Sequence, residues 1–257
     1  MLRKNPENSQ DRPKQIRLEY AYASQFTYAD WLDYFKKNDR QRLEISFAGD
    51  ILTAREQKII FPSVCYFQRG ERSNGMHLLN AADCFARSSS QAVYKDCIRY
   101  FVKEENVHSA YLKTYMEHYH VREKNVVILD SIFRYLRKLF GLRCEVMVLV
   151  TAEMIALSYY DALMHASGSK ALKSICRQML QDETAHILFQ SYTLSYFPKS
   201  IWMDFFRIIL MEAASAAVWA ACHKVFLAGG WTLKRFLRAN LGCLKRSIAL
   251  SNAVSVS

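Results

Sequence analysis

From Tyr94 to Tyr115 the chain steps alternately by four and three residues through Tyr94, Ile98, Phe101, Glu105, His108, Leu112 and Tyr115. That spacing is the buried seam of a helix packed in a bundle. Three further segments carry such a seam. One reads Val64, Phe67, Glu71, Asn74, Leu78, Ala81 and Phe85; another reads Leu139, Leu142, Val146, Leu149, Glu153, Ala156, Tyr160 and Leu163; the last reads Leu172, Cys176, Met179, Glu183 and His186. The periodicity predicts long helices over 62–87, 91–120, 130–166 and 169–196, with Pro62 opening the first because proline is tolerated in a first turn. The breaks between them are Ser88-Ser89-Ser90, Arg122 to Asn125 and Ser167-Gly168-Ser169, and Pro198 closes the fourth.

Residues 62–196 therefore read as an antiparallel four-helix bundle inside an all-α chain. Before it stand a polar leader, residues 1–27, and N-terminal helices within 28–60, one around Trp31 to Phe47 and one starting near Leu52. After it, 200–250 reads as two C-terminal helices, 200–228 and 232–250, parted by Gly229-Gly230. The first of these is apolar, but its uncharged run Ala213 to Cys222 falls short of the roughly 20 residues a bilayer demands. The second places Leu233, Phe236, Leu237, Leu241, Leu244 and Ile248 near one face and basic residues elsewhere. Packing on the bundle and docking on a membrane or partner both fit that amphipathic pattern.

Each seam carries chemistry that a plain core would not. Glu104-Glu105-Asn106-Val107-His108 and Asp182-Glu183-Thr184-Ala185-His186 both contain Glu-x-x-His, and Glu71 and Glu153 each stand singly among apolar residues. On a helix, residues three apart lie about 60° apart around the axis and about one turn along it, so a carboxylate and an imidazole can converge on one metal. Four carboxylates buried together carry a heavy desolvation cost or must take up protons, and bound cations resolve that conflict. Thirty-four residues separate Glu71 from Glu105 and thirty separate Glu153 from Glu183, as in two similar helical hairpins. Glu56 and Asp83 lie on neighbouring stretches, but only Glu71 combines a seam position with that separation.

In these residues the chain resembles the ferritin-like di-iron carboxylate superfamily over about 62–196, whose bundles take one Glu from each of two helices and Glu-x-x-His from the other two. The strings EENVH and DETAH are similar to those of the soluble acyl-carrier-protein desaturases, and QRGERSNG and TAEMIALSYYDAL to a group of bacterial ferritin-like proteins. The resemblance implies a ferritin-like bundle whose metal ligands are Glu71, Glu105, His108, Glu153, Glu183 and His186. It further implies that Asp182 orients His108 and Glu104 orients His186, and that the cofactor is a pair of iron ions with O2 as cosubstrate. Manganese or a mixed pair is also compatible with carboxylate and imidazole donors. Tyr111 and Tyr160 are candidate supporting side chains, although core packing accounts for such tyrosines as well. Met179 stands where the N-oxygenase branch carries an additional histidine.

Composition narrows the partners. Seven cysteines, scattered with no CxxC pair, point to a reducing, cytoplasmic setting rather than a disulfide framework. A net charge of +11 is drawn towards nucleic acid, an anionic membrane or an acidic protein, and no acidic residue follows Glu212. No recognisable RNA-binding segment accompanies the charge, so nucleic acid is set aside as a partner. The reading that follows is an O2-dependent oxidoreductase of oxygenase, hydroxylase or desaturase type, acting on a hydrophobic organic substrate, free or bound to an acyl carrier. Electrons would come from an external donor, since no flavin or iron–sulfur motif is present. The expected assembly is a homodimer, with peripheral membrane or acidic-protein contact through the basic C-terminal helix. The alternatives are an iron-oxidising, iron-sequestering or peroxide-scavenging protein, and a metal-free helical interaction protein.

Overall fold

A capping box opens the first helix, α1 (Tyr28–Asp39), in which Thr27 and Asp30 accept from each other's backbone N–H. The same device, Thr53 with Glu56, opens α2 (Ala54–Glu71). The structure, a computed structural model, describes residues 25–72, 75–123 and 141–253, and its further helices are α3 (Met76–Ser88), α4 (Tyr94–His118), α5 (Gly141–Ala166), α6 (Lys170–Leu194), α7 (Ile201–Ala228) and α8 (Leu233–Ala253). Among the described residues the chain is all-helical, without a strand. The leader up to residue 24, seam positions Asn74 and Leu139, the first part of the 130–166 helix and the second half of the Arg122–Asn125 break lie outside the described residues.

Helices α5 and α6 pack along one another, α4 packs against α2, α1 and α3, and α4 also meets α6. Helix α7 covers α5 and α2, while α8 seats on α6, α7 and α5. The seam positions form the common core: Phe67, Phe101, Val146, Tyr160, Leu172 and Met179 are all buried. Helix α8 buries Phe236 and Leu244 and keeps Lys234, Arg235, Arg238 and Lys245 outside. At the α7–α8 turn a Cβ on Gly229 would lie 2.2 Å from the Ala162 carbonyl, so only glycine lets that turn sit on α5.

The structure corrects four sequence expectations. Pro62 does not open a helix but lies within α2 on its exposed face, where solvent can serve the carbonyl it leaves without a donor. The 62–87 helix is interrupted: α2 ends at Glu71, Arg72 is extended, and Gly75 takes the left-handed φ of 64° from which α3 restarts. The helix expected to reach Phe47 ends at Asp39, whose carboxylate pairs with Arg42 and, at 2.6 Å, with Lys103. Finally, α7 is by length and composition apolar enough to cross a membrane, because a few charges do not cancel so many apolar side chains. Helix α5 passes the same measure, but most of its apolar stretch is buried in the protein.

Candidate metal centre

Four helices converge on one point. Glu71 comes from the last turn of α2, Glu105 and His108 from α4, Glu153 from α5, and Glu183 and His186 from α6. Their ligand atoms form two overlapping groups: Glu71, Glu105, His108 and Glu183, and Glu105, Glu153, Glu183 and His186. Within each group the ligand atoms lie within 4.8 Å of one another. Glu105 and Glu183 belong to both groups, whereas each histidine and each singly placed glutamate belongs to one. This buried Glu/His cluster could hold a metal ion, and two overlapping groups are compatible with a pair of them.

Both imidazoles are turned the same way. Nδ1 of His108 lies 3.5 Å from Glu183 Oε1, and Nδ1 of His186 lies 3.2 Å from Glu105 Oε1 and 3.4 Å from Glu153 Oε2. The far nitrogens donate outward across the bundle, His108 Nε2 to Asp182 at 3.0 Å and His186 Nε2 to Glu104 at 2.9 Å. A carboxylate can only accept, so each Nε2 carries a proton and Nδ1 is the nitrogen that faces the cluster, where it would serve a metal once its own proton is displaced. Asn38 of α1 donates to both outer carboxylates, to Asp182 at 2.9 Å and, by a very short contact, to Glu104. Gln178 holds Asp182 as well, at 3.0 Å.

The remaining ligands have neutral donors. The Tyr160 hydroxyl donates to Glu71 at 2.5 Å and the Gln190 amide to Glu153 at 3.0 Å. Tyr111 is not brought to the cluster, since its hydroxyl accepts from the Leu43 backbone N–H at 2.8 Å. Glu56 and Asp83 are engaged elsewhere, Glu56 at the caps of Thr53 and Gly168 and Asp83 with Lys95 and Arg87.

Burial governs the protons. It pushes the Glu71 carboxyl well above the usual carboxylate range, with the charges of Glu105 and Glu183 adding to it. Burial and Glu183 push Glu153 up to about 8. Glu183 is held low in spite of burial by Glu153 and by the neighbouring His108 and His186. Burial alone would lower both histidines, but the carboxylates of Asp182 and Glu183 beside His108, and of Glu104, Glu105 and Glu153 beside His186, raise them well above an ordinary imidazole. The cluster without metal thus holds its charges together with protons that cations would displace.

Those protons do not satisfy it. Among the described residues Glu105 Oε1, His108 Nδ1 and Glu183 Oε2 are buried without a hydrogen-bond partner, and all three belong to cluster residues. Buried polar atoms are rarely left so, and their gathering at one point fits a missing cation. Neither group contains a thiolate, a donor set suited to iron or manganese.

Asn38, Gln178 and Gln190 were not singled out in the sequence. Gln190 follows His186 by one four-residue step on the α6 seam, so periodicity could have found it. Asn38 gave no such signal, because it reaches the site from a helix outside the four. No protein-family model, curated protein or solved structure matches the chain.

Proposed function

We propose that this chain is a ferritin-like di-iron carboxylate protein, cytoplasmic, and that it works as an O2-dependent oxidoreductase on a hydrophobic organic substrate. The observation that carries the reading is the pair of overlapping groups sharing Glu105 and Glu183. Glu71 and His108 would complete one metal position, and Glu153 and His186 the other. Bound there, a pair of iron ions supplies the electrons with which dioxygen is reduced. The chain's own contribution is geometric and protonic. Asp182 and Glu104 fix the imidazole tautomers, Asn38 ties those two carboxylates together, and Tyr160 holds a proton against Glu71. Phe101 and Phe35, with ring centroids 4.7 and 6.1 Å from that of His186, keep water from that side of the site.

The test is iron content and oxygen consumption of the reduced protein, wild type against Glu105→Ala and His186→Ala. Bound iron and oxygen uptake are expected to fall together in both variants. Undiminished metal content in both would sink the assignment. Metal loss paired with a large cage holding ferric mineral in the wild type would move the protein from oxidoreductase to iron storage.

A further inference from the structure

Helix α7 carries a second concentration of unusual features, remote in sequence from the metal ligands. Ile201, Trp202, Phe205, Ile208 and Ile209 lie on one face of its first turns and are exposed, Ile201 and Trp202 by 80% and 77%. Their spacing of i, i+1, i+4, i+7 and i+8 makes a continuous apolar face, and Glu212 ends it. Against the flank of those turns opens a shallow cleft lined by Arg143, Lys199, Ser200, Asp204, Arg207 and Asn252 among others.

The pocket is cationic and incompletely satisfied. Arg207 is only 2% exposed; its Nη2 donates to Ser247 Oγ at 2.6 Å and its Nε has no hydrogen-bond partner among the described residues. Arg143 donates to the Pro198 carbonyl and Lys199 to that of Asn252, both at 2.8 Å. All three cations hydrogen-bond to neutral oxygens, and among the described lining residues Asp204 is the one acid. Burial pulls the Arg207 guanidinium down to about 10, with Asp204 opposing. Ser200 supplies no side-chain cap, which leaves the positive end of the 28-residue α7 turned to the same place.

We propose that the first turns of α7 lie on a phospholipid membrane and that the pocket of Arg143, Lys199 and Arg207 takes the phosphate of a lipid headgroup. An amphipathic surface helix buries its apolar face shallowly at the headgroup boundary, and cations beside that face meet the phosphates. The helix lies on the bilayer rather than across it, because its other side is packed on α5, α2 and α8 and holds Arg207 within the protein. The inference is independent of the metal centre.

The test uses the full chain with vesicles of phosphatidylcholine alone and of phosphatidylcholine mixed with phosphatidylglycerol. Wild type is expected to sediment with the anionic vesicles, and brominated acyl chains are expected to quench Trp202 fluorescence, the quenching being lost in Trp202→Phe. Ile201→Ser with Trp202→Ser, both on the exposed face, should weaken binding about tenfold. Lys199→Gln and Arg143→Gln, at the rim, should each weaken it about fivefold and reduce the anionic preference. Arg207→Met should do the same if it folds, and the rim variants decide the matter if it does not. Failure to bind either vesicle overturns the proposal, as does equal binding to both vesicles that is unaffected by the rim variants. So does a dimer abolished by the Ile201/Trp202 double variant without vesicle binding, which would make a second copy the occupant. Stabilisation by inorganic phosphate without vesicle binding would reassign the pocket to a soluble anion.

Discussion

Asn38 Nδ2 donates to Asp182 Oδ1 at 2.9 Å, joining α1 to α6 across 144 residues of sequence. Through the same amide it touches Glu104 of α4, so one neutral side chain spans the two carboxylates that receive the His108 and His186 Nε2 protons. An amide is well chosen for that place. It donates to both acids and adds no charge where burial already makes charge costly.

Asn38→Leu should therefore leave the bundle folded and weaken metal binding about 10–100-fold, the usual consequence of losing an outer hydrogen bond to a ligand system. Competition with a chelator measures it. Asn38→Asp should bind more weakly still above neutral pH, because it sets a further carboxylate against Glu104 and Asp182. Unchanged affinity in Asn38→Leu would show that the imidazoles are oriented without it.

Glu71→Gln separates a ligand from a structural acid. In the metal-free protein the Glu71 carboxyl is held protonated by burial, so a neutral amide of equal size should leave the thermal midpoint unchanged or raise it. Metal content should nevertheless fall, since the amide is a far poorer ligand. A structural acid would behave in the opposite way, with lost stability and retained metal.

Much of this was legible in the sequence, and the rest failed for identifiable reasons. The seams revealed Glu105, His108, Glu153, Glu183 and His186 because helical periodicity is a local property that marks which polar residues face inward. The interruption after Glu71 was hidden, since Leu78 and Phe85 resume the seam as though no break intervened. Its signal was Gly75, which combines positive φ with a backbone approach so close that a Cβ would lie 2.6 Å from Val102 Cγ1. That approach involves α4 and cannot be read from α2 or α3. Asn38 and the loop contacts of Asp50 and Glu56 were invisible for the same reason, because each acts on an element far away in the chain.

The metal-free protein should lose stability as pH rises from about 5 towards 8. Glu153 is shifted from its ordinary 4.5 to about 8, and Glu71, His108 and His186 are all raised, so the folded state binds more protons than the unfolded one throughout that window. Stability then falls with pH, and the contribution of the raised histidines is complete only below an ordinary imidazole value. Metal binding, which replaces those protons, should flatten or reverse the slope. Denaturant midpoints at several pH values with and without iron measure this; a metal-free protein most stable at pH 8 would contradict it.

Asp50 fixes the N-terminus of α6 and with it Asp182, Glu183 and His186. Its Oδ1 accepts from the Ala171 backbone N–H at 3.0 Å and its Oδ2 from the hydroxyls of Ser169 at 2.7 Å and Tyr119 at 2.8 Å. Burial opposes ionisation, yet these hydrogen bonds prevail and hold the carboxyl below its ordinary value of 3.8. A depressed acid contributes stability that is complete above the unfolded value and is lost as pH falls through the folded one. Asp50→Ala should therefore cost about 1–2 kcal/mol near neutral pH, as loss of a helix cap does, and lower the thermal midpoint by about 2–4 °C per kcal/mol. The deficit should shrink below about pH 4, where the wild-type carboxylate is itself taking up its proton. A deficit that stays constant into acid would mean that Asp50 contributes shape alone and not charge.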